Sequence, residues 1–561
     1  MFDYSDTRTV FSVFTGENVT ILIFIAAVNV LFMNYLARKF MQIIQQSGYV
    51  YADYIKWVRR RDNVYVTRLD MIVMLSVLAY LIYSIALSFV DAAITEPTAF
   101  VFYVLFMLLY LRSDFKRKSK SRLRFTARML RVYLTYSILF SLLSLALLFG
   151  VSMLGFLFRE NEILLRVKLC VLCLSPLFVQ LFVPLANLIN GPMERANNLK
   201  YVEKCKQKLS SYPDLIRIGV TGSYGKTSVK EILKTILSEK FNVFATPQSY
   251  NTPMGICKAV KKLGENVDVF IAEMGARHEG DIKELCDIVR PDHAIINGVI
   301  EHHMDTFSNI AQIKRTKAEL VRGVKKGGTV VLTVDNEVTL SMKADADGVN
   351  VVTAGITIEN SPDVYATDIV TSASGSSFML HVGDGTVSCR TALVGSHNVS
   401  NVTLAAALCY RLGLTAEEIA AGVARVQPIK HRLEVMVNDR GVTVIDDSYN
   451  SNVSGTKAAI EVIEKFDGRK IIITPGMVEL GRIEDAENYE LGKRLAGAVD
   501  KALLVGNHGA YRIRDGLLSQ GFSIDDIYMA KDLSDAIAYY DKISFKGDVV
   551  LFENDLPDKF S

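Results

Sequence analysis

A phosphate-binding loop is the clearest chemical feature of this sequence. A β-branched run at residues 216–220 precedes the letters TGSYGKTS, and an apolar stripe at helical spacing follows them. In a strand, glycine turn and helix of this kind, backbone N–H groups face an anion and the lysine adds a positive charge. The strict Walker A spacing is missed, because its first glycine would fall at Val220. The residues predicted to hold a nucleotide phosphate are Gly222, Gly225, Lys226, Thr227 and Ser228.

Downstream residues have types that suit a metal or a reacting group. Glu273 ends an apolar strand, where its carboxylate is placed to bind Mg²⁺ together with the Thr227 hydroxyl. His303 follows another histidine, and by residue type alone a loop histidine is more often a solvated residue than a metal ligand. Asn251 precedes Pro253 and by itself also fits a turn.

The elements around these residues alternate between short β-branched runs and amphipathic helices beyond residue 200, which predicts parallel sheets with helical crossovers. A break near Pro428 separates two such domains, predicted at 210–428 and 429–561. The predicted strands are 216–220, 267–272, 294–297, 329–334, 443–445, 470–474, 502–505 and 549–552.

The first part of the chain has a different composition. Half of all 561 residues are apolar, yet 63 basic and 60 acidic residues leave a net charge of only +3, so membrane and soluble parts must be mixed. About 20 apolar residues cross a bilayer core as a helix. We predict a membrane domain at 1–195 with five spans, at 19–37, 70–90, 97–111, 130–158 and 163–190. Pro176 and Pro184 are predicted to kink the last span.

Loop charges predict the orientation, because Lys and Arg near helix ends stay on the cytoplasmic side. The segment 38–69 carries seven basic residues and the segment 112–131 carries nine, whereas 91–98 has only two acids. This places the N-terminus outside and the catalytic domains in the cytosol, in a multi-pass protein of the cytoplasmic membrane. The basic segments flank apolar helices, so they do not indicate nucleic-acid binding. The seven cysteines form no zinc-binding pattern and are predicted to be reduced.

Eight motifs in order make the sequence resemble the Mur ligase superfamily, and its MurF-type branch most closely. They are TGSYGKTS at 221–228, SYNTPMGI at 249–256, EMGARHEGDI at 273–282, HMDTFSN at 303–309, KAEL at 317–320, GSHNVSN at 395–401, DDSYNSN at 446–452 and MVELG at 477–481. The resemblance implies a P-loop central Mur ligase domain, a Rossmann-like C-terminal domain, and ATP and Mg²⁺ as cofactors.

The resemblance also assigns roles to single residues. It selects His303 as a metal ligand and makes Lys317 a carbamylated lysine that helps to hold the metal site. Asn251 matches the region that faces the acceptor. Further positions that it implies for ATP are Asn398, Asn401, Arg432 and Asp447, of which Arg432 would reach the phosphates and Asp447 the ribose hydroxyls.

Two departures from the MurF pattern change the expected substrates. Where MurF-type ligases usually carry KGSR, this chain reads VVLFENDLP at 549–557, so a basic recognition motif has become acidic. The region that in such ligases holds a UDP-sugar is replaced by the membrane domain. We therefore expect an amide-forming ligase that works through an acyl phosphate and acts on a lipid-linked cell-envelope precursor and an amino acid or peptide amine. The alternatives are a membrane-tethered MurF acting on a UDP-linked precursor, an ATP-driven transporter, and a nucleotide-binding scaffold.

Overall fold

The computed structural model describes residues 16–59, 63–86, 101, 103–105, 107–108, 123–158 and 164–554, apart from residues 249, 305, 450 and 507. The chain divides into two compact units, Met1–Asn197 and Asn198–Leu556.

The first unit is helical throughout its described part. Its helices are α1 Gly16–Gln46, α2 Tyr51–Val58, α3 Val64–Ala86, α4 Ala127–Phe158, α5 Leu164–Cys173 and α6 Ser175–Ser210, the last of which runs on into the second unit. Among the described residues, four segments are long and apolar enough to cross a membrane: Leu22–Gln46, Val66–Tyr83, Ala127–Val151 and Ser175–Ser210.

The predicted span at 97–111 is helical at its described positions between 101 and 108, and its remainder lies outside the described residues. The count of five crossings therefore stays a prediction.

The span predicted at 163–190 is wrong as a single helix. Helix α5 ends at Cys173, Leu174 lies in a turn, and α6 begins at Ser175. The break has a physical reason, because Pro176 has no N–H to donate to the Leu172 carbonyl oxygen in a continuous helix. In the first turn of a new helix the backbone N–H groups have no intrahelical acceptor, so proline is tolerated there. The predicted loop at 38–69 is also shorter than expected, because α1 continues to Gln46 and α2 lies within it.

Several polar side chains of the first unit are buried and hydrogen-bonded to one another. The Asn29 amide donates to Ser144 Oγ at 3.0 Å and to Ser175 Oγ at 3.2 Å, and the Tyr103 hydroxyl donates to Asn29 Oδ1 at 2.6 Å. Large apolar side chains such as Leu31 and Met74 are instead exposed. Buried polar side chains that hydrogen-bond one another, together with exposed large apolar side chains, are compatible with helices surrounded by lipid.

The second unit begins with a nine-stranded sheet, in the order β2-β3-β1-β4-β5-β6-β7-β8-β9. Its strands are β1 Ile216–Thr221, β2 Val243–Ala245, β3 Val269–Glu273, β4 His293–Ile296, β5 Thr329–Thr333, β6 Asn350–Gly355, β7 Val364–Ser372, β8 Gly375–Val382 and β9 Gly385–Thr391. Strands β1–β6 are parallel, and β7–β9 form an antiparallel meander. The helices are α7 Lys226–Leu237, α8 Pro253–Lys261, α9 Asp281–Val289, α10 Ile310–Gly323, α11 Glu337–Leu340, α12 Ser396–Arg411 and α13 Ala416–Ala424.

A six-stranded sheet follows, in the order β10-β11-β15-β12-β13-β14. Its strands are β10 Glu434–Val437, β11 Thr443–Asp447, β12 Lys470–Thr474, β13 Lys501–Val505, β14 Ile527–Ala530 and β15 Val549–Glu553. The pairing is parallel except between β10 and β11. The helices are α14 Val453–Ile463, α15 Glu484–Leu495, α16 His508–Ser519 and α17 Leu533–Ile543.

The predicted fold class is confirmed, and each of the eight predicted strands is present, 470–474 with the predicted ends and the other seven with ends shifted by one or two residues. The meander β7–β9 was not predicted from the sequence. Its signal was present, since Gly383, Asp384 and Gly385 separate two runs that alternate in polarity, a pattern typical of a hairpin. The predicted domain limits at residues 195, 210 and 428 remain predictions.

Candidate active site

The phosphate loop has the conformation that its glycines predict. Strand β1 ends at Thr221, α7 begins at Lys226, and Gly225 between them has a φ of 68°. This left-handed conformation favours glycine, and a side chain at Gly225 would collide with the Asn297 amide. The Lys226 ammonium donates to the Gly222 carbonyl oxygen at 2.8 Å.

Glu273 lies beside this loop, because its strand β3 pairs with β1 and places Glu273 opposite Val220. Its Oε2 accepts a hydrogen bond from Thr227 Oγ1 at 3.0 Å, and its Oε1 accepts one from Asn251 Nδ2 at 3.1 Å. The structure thus brings together the Thr227 hydroxyl, the Glu273 carboxylate and the Asn251 amide, three side chains that the sequence placed in three separate motifs.

Lys230 is a member of this cluster that sequence reasoning missed. It is fully buried, its Nζ lies 3.3 Å from Glu273 Oε2, and it also donates to the Gln248 carbonyl oxygen. A signal was available, since Lys230 directly follows Val229 on the apolar stripe of α7, where a charged residue is unusual without a partner. Its charge offsets that of Glu273 inside the protein.

His303 is held by a residue from the second sheet region. Its Nδ1 lies 2.6 Å from Glu479 Oε2, and Glu479 Oε1 accepts from Arg277 Nη2 at 3.3 Å. Burial lowers the pKa of His303, although Glu479 acts in the opposite direction. The neighbouring His302 is also buried, and its Nδ1 has no hydrogen-bond partner in the described part of the chain.

Lys317 lies on α10 with only 3% of its surface exposed. Burial, and then the charge of Lys226, lower the pKa of its ammonium to about 7. It makes no hydrogen bond to any described residue. A large fraction of Lys317 is therefore neutral near pH 7, and the neutral amine is the form that can react with CO₂.

Asn398 and Asn401 lie at the start of α12 and are buried rather than open. Asn401 Oδ1 accepts from Asn297 Nδ2 at 2.8 Å, and Asn398 Nδ2 donates to the Val394 backbone carbonyl oxygen at 2.9 Å. Asn297 is the residue that packs against Gly225. These hydrogen-bonded side-chain amides therefore support the phosphate loop at Gly225. Their sequence pattern did not predict this role.

Arg432 and Asp447 come from the region of the second sheet. Asp447 ends β11 and accepts from the Leu433 backbone N–H at 3.2 Å, while the Arg432 guanidinium lies 4.0 Å from the Tyr449 ring centroid. Burial raises the pKa of Asp447 to about 7 and Arg432 opposes this shift. Burial also lowers the pKa of Arg432.

Electrostatics join these residues into one site. Burial lowers the pKa of Lys226, Glu273 opposes that shift, and the charge of Arg432 adds to it. Lys226 in turn helps to lower the pKa of both His303 and Lys317. No group of three His, Cys, Asp or Glu residues that could hold a metal occurs among the described residues. A metal here would depend on Thr227 and a modified Lys317 in addition to Glu273 and His303.

The VVLFEN segment ends inside the second sheet rather than at an open acidic patch. Glu553 is buried, and its two carboxylate oxygens accept from the Ser451 and Thr474 hydroxyls. Burial, and then the charge of Asp447, raise the pKa of Glu553 to about 7 despite these hydroxyl donors. Asn554 donates to the Gly476 carbonyl oxygen at 2.7 Å. The acidic residue at this position therefore forms part of the packed interior.

Comparison with known proteins gives matches in the second unit. Residues 220–409 match the Mur ligase middle domain, and residues 431–553 match the Mur ligase glutamate ligase domain. Both matched regions lie outside the helical unit.

The chain is also similar to curated UDP-N-acetylmuramoyl-tripeptide–D-alanyl-D-alanine ligases. It is 31% identical to that of Escherichia coli (strain K12) over 52% of this chain and 64% of the relative, which is less than two thirds of the relative's length. It is 30% identical to that of Mycobacterium leprae (strain TN) over 60% of this chain and 70% of the relative. A crystal structure of MurF from Acinetobacter baumannii superposes with a TM-score of 0.58 at 26% identity, covering 64% of this chain and 77% of that chain.

Proposed function

Because the chain belongs to the Mur ligase family, we propose that it is an ATP-dependent ligase that joins a carboxylate to an amine while held in the cytoplasmic membrane. The observation that supports this most directly is the Thr227 hydroxyl 3.0 Å from the Glu273 carboxylate, immediately beside the phosphate loop. A phosphate-binding loop alone would serve any nucleotide-binding protein. The addition of Glu273, His303 and Lys317 is what phosphoryl transfer to a carboxylate needs.

The side chains present fit Mg²⁺, because Thr227 and Glu273 offer adjacent oxygen donors of the kind that this ion prefers. Thr227 and Glu273 would hold one ion, and His303 with a carbamylated Lys317 would hold a second. When bound, Mg²⁺ offsets negative charge on the phosphate groups of ATP.

In the proposed reaction, an oxygen of the acceptor carboxylate attacks the γ-phosphorus of ATP and the bond to the ADP oxygen breaks. The amine nitrogen then attacks the carbonyl carbon of the acyl phosphate, inorganic phosphate leaves, and the nitrogen loses a proton to solvent. Lys226 and Arg432 stabilise charge on the transferring group, since both are partly buried basic side chains beside the phosphate loop. Asp447 is proposed to bind the ribose, and Asn251 to orient the acceptor.

The same residues suggest how water is kept from the acyl phosphate. Arg432 precedes strand β10 and Glu479 follows strand β12, so both belong to the second matched domain. Even so, Glu479 contacts His303, and the charge of Arg432 lowers the pKa of Lys226. Residues of both matched domains therefore meet at the phosphate loop. A reactive intermediate formed there would be enclosed, and positioning would supply much of the rate.

The acceptor is proposed to be a carboxylate on a lipid-linked glycan or glycopeptide of the cell envelope. Within the described part of the chain, four long apolar helices precede the matched domains, and a single helix would be enough for attachment. A lipid-borne substrate approaches along the bilayer, which gives the additional helices a use. In the proposed topology the N-terminus is outside and the second unit is in the cytosol, where ATP is available.

The amine is proposed to differ from the D-alanyl-D-alanine named for the relatives. The Glu553 carboxylate is occupied by two hydroxyl donors, and Asn554 is bonded to the Gly476 carbonyl. Neither residue provides the positive charge that would recognise the carboxylate of an incoming dipeptide at this place.

The test is to supply the purified full chain with ATP, Mg²⁺, an amino-acid mixture, and either bacterial membrane lipid extract or soluble UDP-linked muramoyl peptides. Products are identified by mass spectrometry, with Lys226→Ala as the background control. Ligation to a lipid-linked carboxylate supports the proposal. Ligation confined to the UDP-linked acceptor would make the protein a membrane-tethered MurF, and ATP hydrolysis without any amide product would favour a transporter.

A further inference from the structure

Two arginines of helix α4 lie one turn apart, and their surroundings differ. Arg131 Nε donates to Glu194 Oε1 at 2.6 Å, so its charge is matched inside the first unit. Arg128 has no carboxylate within 4 Å among the described residues. Its one hydrogen bond to a described residue runs from Nη2 to Asn187 Oδ1 at 3.5 Å, and its buried Nε has no acceptor there. An arginine carries five N–H donors, so most of them are unused.

The Arg128 guanidinium is nevertheless fixed in one plane. It stacks on Tyr49, with its central carbon 3.7 Å from the ring centroid. Asn187 is buried and ties the two together, because its Nδ2 donates to the Tyr49 carbonyl oxygen at 3.0 Å while its Oδ1 faces Arg128. Nη1 of this stacked cation bonds to no described residue, and Nη2 has a second N–H, so the two nitrogens can make a planar two-point contact with an anion.

The position of Arg128 in the sequence indicates the source of that anion. It is the second residue of the apolar segment Ala127–Val151, so it lies at one end of a candidate membrane span, at the depth of lipid head groups. At that depth the abundant anionic group is phosphate esterified to a lipid.

We propose that Arg128, Tyr49 and Asn187 form a binding site for the phosphate group of a membrane lipid. The inference rests on the proposed function in one respect: the lipid would be the diphosphate-linked carrier of the acceptor, and the site would hold that carrier in the bilayer. Arg128 binds two phosphate oxygens through Nη1 and the second N–H of Nη2, and Tyr49 and Asn187 position it.

The experiment measures lipid retention on the full chain in phosphatidylcholine nanodiscs by native mass spectrometry. The probes are polyprenyl diphosphate, phosphatidic acid and inorganic diphosphate. The test variant is Arg128→Gln, and the matched control is Arg124→Gln, an exposed arginine just before α4. We expect Arg128→Gln to weaken retention of at least one lipid phosphate by about tenfold or more, the size of a charge-assisted contact. Arg124→Gln should change it by less than about twofold.

If Arg128→Gln does not fold, Arg128→Lys serves instead, because it keeps the charge and loses the planar two-point contact, so retention should still fall. Equal lipid retention in wild type and variant overturns the inference, and so does an Arg128 effect confined to inorganic diphosphate. Arg128-dependent lipid binding in a protein that ligates only soluble acceptors would keep this site and reject the lipid-linked acceptor. If the Arg128 variant ligates a lipid-linked acceptor as fast as wild type does, the lipid-linked acceptor is kept and this phosphate site is rejected.

Discussion

His303 Nδ1 and Glu479 Oε2 lie 2.6 Å apart, although 176 residues separate them and they belong to different sheet regions. The carboxylate accepts, so the proton is on Nδ1 and the lone pair of Nε2 remains for a ligand. Glu479 has a φ of 65° and His303 one of 55°, two left-handed residues brought together by the fold. A non-glycine residue in this left-handed conformation is strained, and it keeps the conformation where the surrounding structure stabilises it.

Glu479 is therefore predicted to position His303. Glu479→Gln should reduce kcat or the apparent Mg²⁺ affinity by about tenfold to a hundredfold, the usual effect of removing a group that orients a metal-binding histidine. The measurement is a Mg²⁺ titration of phosphate release by the full chain in detergent. Glu490→Gln, an exposed carboxylate on α15, is the control, and an unchanged Mg²⁺ dependence in Glu479→Gln would show that His303 needs no orienting partner.

Lys226→Ala and Glu273→Gln are each predicted to lower ATP-dependent ligation by a factor of about 100 or more, because both side chains act on phosphate and metal charge. Lys234→Ala serves as the control, since Lys234 is an exposed lysine on the same helix. Amide product is quantified by mass spectrometry, and folding is checked by thermal unfolding. Near wild-type turnover in either variant would remove the residue from the mechanism.

Lys317 is predicted to carry a carbamate, which its pKa of about 7 favours. Above pH 7 the amine is mostly neutral and reacts with CO₂, and below pH 7 it is mostly protonated and does not. Activity should thus fall in CO₂-depleted buffer, return with bicarbonate faster at pH 8 than at pH 6, and be partly restored to Lys317→Ala by short carboxylic acids. Lys314→Ala on the same helix should show none of these responses. Full activity in Lys317→Ala would make the lysine dispensable.

Glu553 is predicted to make stability depend on pH. Its pKa is about 7 in the folded chain and 4.5 as an ordinary carboxyl, so between these values the folded state binds more protons than the unfolded state. The stabilisation is fully present below pH 4.5 and is lost as the pH rises to about 7, by up to about 3 kcal/mol.

Glu553→Gln should flatten this dependence and raise the unfolding temperature at pH 8 relative to wild type. Differential scanning fluorimetry of the full chain in detergent, at intervals from pH 5 to 8, provides the measurement. Glu490→Gln is again the control, because Glu490 is exposed. A wild-type pH profile in Glu553→Gln would assign the dependence to other groups.

The orientation is predicted from the seven and nine basic residues of the segments 38–69 and 112–131. A cysteine introduced at Ser5 should be labelled by a membrane-impermeant maleimide in intact cells. A cysteine introduced at Ser561 should not be labelled. Labelling of the unmodified chain gives the background from its own cysteines. External labelling at Ser561 would separate the site from cytosolic ATP and contradict the proposed function.

The sequence by itself determined the elements whose signals are local. The loop TGSYGKTS and its flanks predicted a strand, a glycine turn and a helix, because glycine turns and helix periodicity are properties of neighbouring residues. Glu273 at the end of an apolar run was predictable for the same reason. The long apolar helices also follow from composition, since a run of such length has few other stable environments.

Only the tertiary structure decided the contacts between distant segments. Glu479 meets His303, Asn297 joins Asn401 behind Gly225, and Lys230 neutralises Glu273, yet none of these pairs is close in sequence. The burial of Glu553 likewise depends on the residues that surround it. The strength of such a buried contact depends on how far the two side chains are removed from water and on how they are oriented. Both are set only when the chain has packed, so residue type and spacing do not specify them.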